Sequence, residues 1–272
     1  MDVRSQTFLI LGISKSGLES ARFLLKGGAK CYFYEENTGA KIEKAKAEIR
    51  SLGGIEVKSE ETDGVLERTD VVVISPGVPI NHAVAVKAKA MGKRIIGELE
   101  LGYEGFTPVF AAITGTNGKT TTATLLDAIL RVGGRKSALV GNVGVPLTSA
   151  LDGRDRETVY VTEVSSFQLE SVSEFKPHIA CVLNISPDHL ERHYNMENYV
   201  FLKKRIFANQ KSSEYAILNY DDETVRGFYT DIRSKVKWVS VREEVDGAYY
   251  SGGGLYYNGE KITEERELAI GG

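Results

Sequence analysis

The residues best suited to chemistry lie in Gly115-Thr-Asn-Gly-Lys-Thr-Thr121, which follows the apolar run Val109–Thr114 and opens a helix-type sequence. A glycine-rich turn between strand and helix aims backbone N–H groups and the positive helix end at phosphate oxygens. Lys119 adds a mobile cation, and Thr120 a hydroxyl able to bind Mg²⁺. Ile113 stands where the strict G-x-x-x-x-G-K-[ST] pattern has its first glycine, so the match rests on the second half of the motif and its strand-to-helix setting. Gly115, Thr116, Asn117, Gly118, Lys119, Thr120 and Thr121 are expected to hold a nucleoside triphosphate. The alternative is an ordinary βα turn with a surface lysine.

Two more strand-type runs end in groups suited to a metal–phosphate site. Val159–Glu163 delivers a carboxylate, followed by Ser165-Ser166, and Ile179–Asn184 runs on to Asp188-His189. In a parallel sheet the carboxyl ends share one side, so Lys119, Thr120, Glu163, Asp188 and His189 are expected to converge. Mg²⁺ takes oxygen ligands and keeps several waters, which suits Thr120 and Glu163. Taken singly, each acid also reads as a solvated loop residue. Asn142 and Asn184 can reach a ligand, although Asn142 within Gly141-Asn-Val-Gly144 equally suits a turn. His82, His178 and His193 show no partner pattern and are given no role.

Lys203 is out of place. In the helix expected over Met196–Asn209, Tyr199, Val200, Leu202, Ile206 and Phe207 form one apolar face. At about 100° per residue Lys203 falls near its middle, while Lys204 and Arg205 point away. Two readings stand. Either the stem packs and the amine snorkels to solvent, or burial lowers the amine pKa and the lysine is functional. A neutral amine can take up CO₂ as a carbamate, a carboxylate-like metal ligand.

Nearer the N-terminus, Gly12-Ile-Ser-Lys-Ser-Gly17 sits where a dinucleotide fingerprint would, with Ser14 in place of the middle glycine. That disfavours NAD, yet a helix start lined by Ser14, Lys15 and Ser16 can hold a diphosphate. Glu35-Glu36 ends the second strand-type run, where a ribose or base can be hydrogen-bonded, and Ser75-Pro-Gly77 follows the third. The alternative is a Rossmann-like packing domain that binds nothing.

The elements that must position these groups alternate. Strands are expected at Thr7–Leu11, Cys31–Tyr34, Val71–Ser75 and Arg94–Ile96, with helices over Ser16–Lys26, Ala40–Leu52 and Ala83–Met91. This βαβ rhythm implies a doubly wound parallel sheet. Gly97–Pro108 reads as an inter-domain connection. A second α/β unit begins at Val109, with strands at Val109–Thr114, Ala138–Val140, Val159–Glu163, Ile179–Asn184 and Tyr215–Asn219. Val236–Ser240, Gly247–Tyr250 and Leu255–Tyr257 read as antiparallel hairpins around Gly252-Gly-Gly254 and Asn258-Gly259. The fold class is α/β: an N-terminal Rossmann-like parallel-sheet domain (1–98), then a P-loop-type mononucleotide-binding α/β domain with a small antiparallel addition (99–272).

Composition agrees with a soluble two-domain protein. The 272 residues are 42% hydrophobic and 26% charged with net charge −3, which gives no reason to expect nucleic-acid or membrane-surface partners. Neither a signal peptide nor a bilayer-length apolar run is read. Cys31 and Cys181, far apart in apolar runs, read as buried free thiols of a reducing cytoplasm, with a disulfide or a metal pair as the less supported alternative.

With these motifs in place, the chain resembles the Mur ligase family over its whole length, most of all its D-glutamate-adding members. The resemblance rests on Gly115–Thr121, Glu163-Val-Ser-Ser-Phe-Gln-Leu-Glu170, Asn184-Ile-Ser-Pro-Asp-His-Leu-Glu-Arg192 and Ser75-Pro-Gly77. It implies a cytoplasmic, ATP- and Mg²⁺-dependent ligase of peptidoglycan precursor synthesis, and so of cell-wall biogenesis, cell shape and division. ATP would phosphorylate the carboxylate of UDP-N-acetylmuramoyl-L-alanine, and the amine of D-glutamate would displace phosphate from the acyl phosphate.

Carried over by motif, Lys119 binds ATP phosphates, Thr120, Glu163 and His189 serve the metal, and Lys203 matches a carbamylated lysine. Lys119, His189 and Lys203 form the expected catalytic set. Asn142, Ser165 and Gln168 match substrate-side contacts, and Lys15, Ser16, Glu35, Glu36, Ser75 and Gly77 the uridine-diphosphate side. Glu35-Glu36-Asn37 departs from the family's Asp-Thr-Arg type. Family members carry a third domain that binds D-glutamate and closes over ATP. The chain stops at Ile270-Gly271-Gly272, so a monomeric fragment is expected that keeps the UDP-sugar, holds ATP poorly and forms no amide bond alone. Rival readings are another Mur ligase, a folylpolyglutamate-type ligase, a P-loop NTPase that forms no bond, and a Rossmann dehydrogenase.

Overall fold

The computed structural model describes residues 2–106, 108–151 and 155–268. Strands β1 (Thr7–Leu11), β2 (Lys30–Tyr34), β3 (Ile55–Glu56), β4 (Val71–Ile74) and β5 (Arg94–Gly97) form a five-stranded sheet, ordered β3-β2-β1-β4-β5. Every pairing in it is parallel. Parallel strands bury both faces, which explains their unbroken apolar runs. Phe8 and Ile10 pack on one face with Leu24 and Ile49. Leu9 and Leu11 pack on the other with Leu66 and Ala88. Register places Leu11 beside both Tyr34 and Ile74. The segments after β1, β2 and β4 therefore leave the sheet together, at the point where strand order reverses.

The Rossmann-like reading of this half holds, with helices at Lys15–Lys26, Ala40–Ser51 and Ala83–Ala90. Strand β3 and the helix Thr62–Arg68 were not anticipated. Two strand residues carry no period, and Thr62-Asp-Gly64 reads as turn chemistry.

Gly97–Pro108 needs correction. Glu98–Gly105 is a helix, not an open connection, and Leu99 and Leu101 are buried; Thr107 lies outside the described residues. Glu98 and Glu100 are buried with them. Burying a carboxylate costs several kcal/mol unless donors replace its water. Glu100 receives four: the backbone N–H groups of Ser173, Glu174 and Phe175 and the Ser173 hydroxyl, at 2.6–3.2 Å. At about 1.5–3 kcal/mol for each bond to a charged group, these offset the burial. Glu98 receives two on one oxygen, from Thr148 N at 2.6 Å and Thr148 Oγ1 at 2.8 Å, and its other oxygen is buried without a partner. Burial accordingly pushes its carboxyl up to about 7.

The second sheet contains β6 (Val109–Thr114), β8 (Val159–Glu163), β9 (Ile179–Val182), β10 (Tyr215–Asn219), β11 (Lys235–Ser240), β12 (Gly247–Ser251), β13 (Gly254–Tyr257) and β14 (Glu260–Glu264). Their order is β14-β13-β12-β11-β10-β9-β6-β8. A second correction falls here. β11 and β12 pair in parallel, so the antiparallel meander comprises β12, β13 and the unanticipated β14. The expected end at Ile270-Gly271-Gly272 lies outside the described residues.

Compactness groups Met1–Pro108 with Ala138–Thr158 and Ser165–Phe175. Val109–Ser137, Val159–Val164 and Lys176–Gly272 form the other unit. Strand β7 (Ser137–Gly141) lies, from Ala138 on, in the second segment of the first unit. Cys31 and Cys181 are free thiols, Cys31 fully buried. Among the described residues no helix is long and apolar enough to cross a membrane.

Candidate functional site

In the second unit the phosphate-loop candidate runs from the end of β6 into the helix Lys119–Val132. Gly118 caps that helix in the left-handed region, φ +81°, where a side chain would be strained. The loop is stapled to the segment after β9. Asn117 N donates to Asn184 Oδ1 at 2.8 Å, Asn184 Nδ2 returns a bond to Asn117 O at 3.1 Å, and Thr116 N donates to Asn184 O at 2.9 Å. Thr116 Oγ1 donates to Ser186 O, accepts from Ser186 N, and lies 3.1 Å from Tyr199 Oη. The loop is therefore preorganised, not open chain.

Three groups meet around it. Lys119 Nζ lies over its own loop, donating to Gly115 O and Thr116 O at 2.9 and 2.7 Å. Thr120 Oγ1 donates to Glu163 Oε2 at 2.7 Å. Glu163 is 1% exposed at the end of β8, beside the loop because Ile113 and Glu163 are in register.

Lys203 approaches from beneath. The expected helix is shorter, Met196–Lys204 followed by a 3₁₀ turn, yet Lys203 lies on its buried face at 2% exposure. Its Nζ donates to Thr114 Oγ1 at 3.1 Å and to Gly115 O at 2.8 Å, so the amine does not snorkel. Burial, then the Lys119 charge, lower its pKa to about 7 against the opposing pull of Asp188 and Glu163.

His189 sits at φ +51°, unusual for a non-glycine residue, and pairs with Asp188 at 3.6 Å and Glu191 at 3.5 Å. Among the described residues no three His, Cys, Asp or Glu side chains gather as a metal site. The hydroxyl–carboxylate pair Thr120–Glu163, at the start of the Lys119–Val132 helix, is an oxygen donor set that fits a Mg²⁺ keeping most of its waters.

In the first unit, the switch point forms a cleft of about 120 Å³ lined by Gly12, Tyr34, Glu36, Gly77, Pro79 and His82, among others. Ser75 Oγ donates to Gly12 O at 2.6 Å, locking two of its loops. Gly17 is obligatory: a Cβ there would lie 1.9 Å from Gly12 O. The acidic pair divides its work. Glu35 accepts from Ile13 N at 2.9 Å and from both Asn37 nitrogens at 2.7–2.8 Å, which ties β2 to the glycine loop.

Glu36 uses one oxygen for Tyr34 Oη at 2.7 Å and His82 Nε2 at 3.3 Å. His82, left without a role by sequence reasoning, thus belongs to the cleft. Its position just past Ser75-Pro-Gly77 was the available signal. Lys15 Nζ reaches Gly144 O at 2.7 Å, beside exposed Asn142, and Ser16 lies in the same helix turn. Ser165 and Gln168 cap each other around the short helix Ser166–Leu169.

A model of the Mur ligase middle domain matches residues 113–266, and one of the MurD-like N-terminal domain of Mur ligases matches residues 6–97. The chain belongs to the Mur ligase family. The UDP-N-acetylmuramoylalanine--D-glutamate ligase of Caldanaerobacter subterraneus subsp. tengcongensis is 39% identical over 100% of the chain and 61% of its own length. The enzyme of the same name from Koribacter versatilis is 41% identical over 98% and 59%. The chain thus spans about three-fifths of these relatives. Among solved structures, the UDP-N-acetylmuramate:L-alanyl-gamma-D-glutamyl-meso-diaminopimelate ligase from Neisseria meningitides superposes with TM-score 0.62 at 15% identity, covering 94% of this chain and 85% of that one. It shares the Mur ligase fold.

Proposed function

We propose that the chain provides the UDP-sugar and ATP sites of a cytoplasmic ligase that joins D-glutamate to UDP-N-acetylmuramoyl-L-alanine. Residues 1–98 supply the uridine-diphosphate cradle through Lys15, Ser16, Glu35, Glu36, Ser75 and Gly77. Residues 99–272 hold ATP and offer Asn142, Ser165 and Gln168 to the sugar-peptide side. The observation that carries this reading is the gathering of Lys119, Thr120–Glu163 and Lys203 on one preorganised phosphate loop. The D-glutamate ligases similar to the chain over almost its whole length support it.

The chemistry follows from charge. Transferring the γ-phosphoryl group to a carboxylate brings anions together, so cationic and N–H groups must neutralise them. Lys119 leaves its loop carbonyls for the β- and γ-phosphates, while the N–H groups at the start of the Lys119–Val132 helix bind the rest. Thr120 and Glu163 would hold a Mg²⁺, which would supply charge neutralisation on the phosphates, and His189 is the further ligand that the family resemblance assigns. Lys203, its amine readily neutral near pH 7, takes up CO₂ and releases a proton, becoming a carbamate whose anion serves the same site. The amine of D-glutamate then attacks the acyl carbon, and phosphate leaves.

Titration of the chain with UDP-N-acetylmuramoyl-L-alanine, UDP-N-acetylmuramate and a folate tests the assignment. Selective retention of the L-alanine compound is expected. Preference for either other ligand, or ATP hydrolysis indifferent to all three, would overturn it.

A further inference from the structure

The helix Glu98–Gly105 does more than continue the chain. Its first turn buries two carboxylates, and each is spent on a different loop of the first unit. Glu98 takes the N–H and hydroxyl of Thr148. Glu100 takes the Ser173, Glu174 and Phe175 N–H groups and the Ser173 hydroxyl. Close backbone approach reinforces both attachments. A Cβ on Gly97 would meet Ser171 Oγ at 2.4 Å, and one on Gly102 would meet Leu147 Cγ at 2.7 Å. The ring of Tyr103 stands edge-on to Phe175, centroids 5.4 Å apart.

The two anchored loops are the ones that bear Asn142 and the Ser165–Gln168 pair. Leu147–Ala150 follows the Gly141–Gly144 turn, which Lys15 holds from its other side at Gly144 O. Ser171–Phe175 follows the Ser165–Gln168 capping box. All of these segments belong to the first unit.

Packing alone does not call for acids here. Apolar side chains of similar volume bury more cheaply than carboxylates. What a carboxylate adds is direction, because N–H donors must point at its oxygens. Four donors from three consecutive residues on Glu100 fix the path of that loop.

We infer that Glu98 and Glu100 are positioning residues for the sugar-peptide substrate, holding the Asn142 and Ser165–Gln168 loops in binding geometry from one helix. This rests on the reading that these loops face a UDP-sugar ligand. Neither carboxylate is expected to touch substrate.

The test titrates the whole chain calorimetrically with UDP-N-acetylmuramoyl-L-alanine. Glu100→Gln has one acceptor where four donors converge, and its affinity is expected to fall about tenfold, the equivalent of one lost hydrogen bond to a charged group. Glu98→Ala is expected to lose a similar factor, and Glu98→Gln, which keeps an acceptor for Thr148, to recover most of it. Ile49→Val, a core change in the same unit, serves as control for stability loss and is expected to leave affinity within about twofold. Amide exchange at Ser173, Glu174 and Phe175 is expected to quicken in Glu100→Gln while β1 and β4 stay protected.

Wild-type affinity in folded Glu100→Gln and Glu98→Ala overturns the inference, as does an equal loss in Ile49→Val. Should Glu100→Gln fail to fold, Ser173→Ala removes one donor, and unchanged affinity there overturns it for Glu100. A wild-type chain that takes up no UDP-sugar instead brings down the functional reading on which the inference rests.

Discussion

Lys203 Nζ donates to the carbonyl oxygen of Gly115 at 2.8 Å, which places a buried amine under the first residue of the phosphate loop. The same carbonyl accepts from Lys119 Nζ at 2.9 Å. Burial first, and then the Lys119 charge beside it, favour the neutral form of the Lys203 amine. The helix thus brings to the loop the buried amine on which the proposed carbamate would form.

Replacing Lys203 by methionine should reveal that burial. With a folded pKa of about 7 against an ordinary 10.5, wild-type protein gains stability as pH rises from about 7 to 10.5, because the unfolded chain binds the extra proton. Lys203→Met lacks this gain. Its melting temperature relative to wild type should be highest at pH 6 and fall steadily towards pH 10. A difference independent of pH would refute the buried-amine assignment.

Glu98 gives the opposite slope. Its folded pKa of about 7 lies above the ordinary 4.5, so its contribution is greatest below pH 4.5 and is lost as pH rises to about 7. The span is worth on the order of 3 kcal/mol. Charged neighbours Glu19 and Lys15 act on it in opposite directions. Denaturant titrations of Glu98→Gln should show a flatter decline between pH 4.5 and 7 than wild type.

The pair Thr120–Glu163 should govern magnesium dependence. Glu163→Gln removes a buried negative charge next to the phosphate site while leaving an amide oxygen for the Thr120 hydroxyl. Added Mg²⁺ should tighten ATP binding to wild type by about tenfold or more, and to the variant hardly at all. Magnesium-free ATP should bind the variant at least as well. Calorimetry with and without chelator measures both.

His82 is held in one tautomer. Its Nδ1 accepts from Val84 N at 3.3 Å as a helix cap, which leaves Nε2 as the protonated nitrogen facing Glu36. Asparagine keeps a capping acceptor but is too short to reach Glu36. His82→Asn should therefore melt within about 2 °C of wild type while binding UDP several-fold more weakly. Unaltered UDP affinity would remove His82 from the cleft.

Periodicity and punctuation carried most of the fold into view. β1, β6, β8 and β10 have the expected boundaries because each is a short run rich in apolar and β-branched residues, bounded by turn chemistry. Glu98–Gly105 escaped for the converse reason: its glycines imitate a linker, while its buried acids lack any apolar signature. The parallel β11–β12 pairing was equally hidden, since strand direction depends on the partner and not on alternation. For the candidate site, the gathering of Lys119, Thr120 and Glu163 was readable from strand ends, and the burial of Lys203 from its misplaced charge. The division of labour between Glu35 and Glu36 was not, because adjacent identical residues differ only in which donors the fold brings to them.

The first unit is discontinuous in sequence, with its last segment ending at Phe175. A nascent chain delivers residues in order, at about 5–20 per second. Glu98 and Glu100 therefore leave the ribosome well before Thr148 and Ser173–Phe175 exist to cover them. The donors that cover both acids in the finished fold are thus among the last parts of this unit to be made, so its closing joint cannot set before residue 175 is in place.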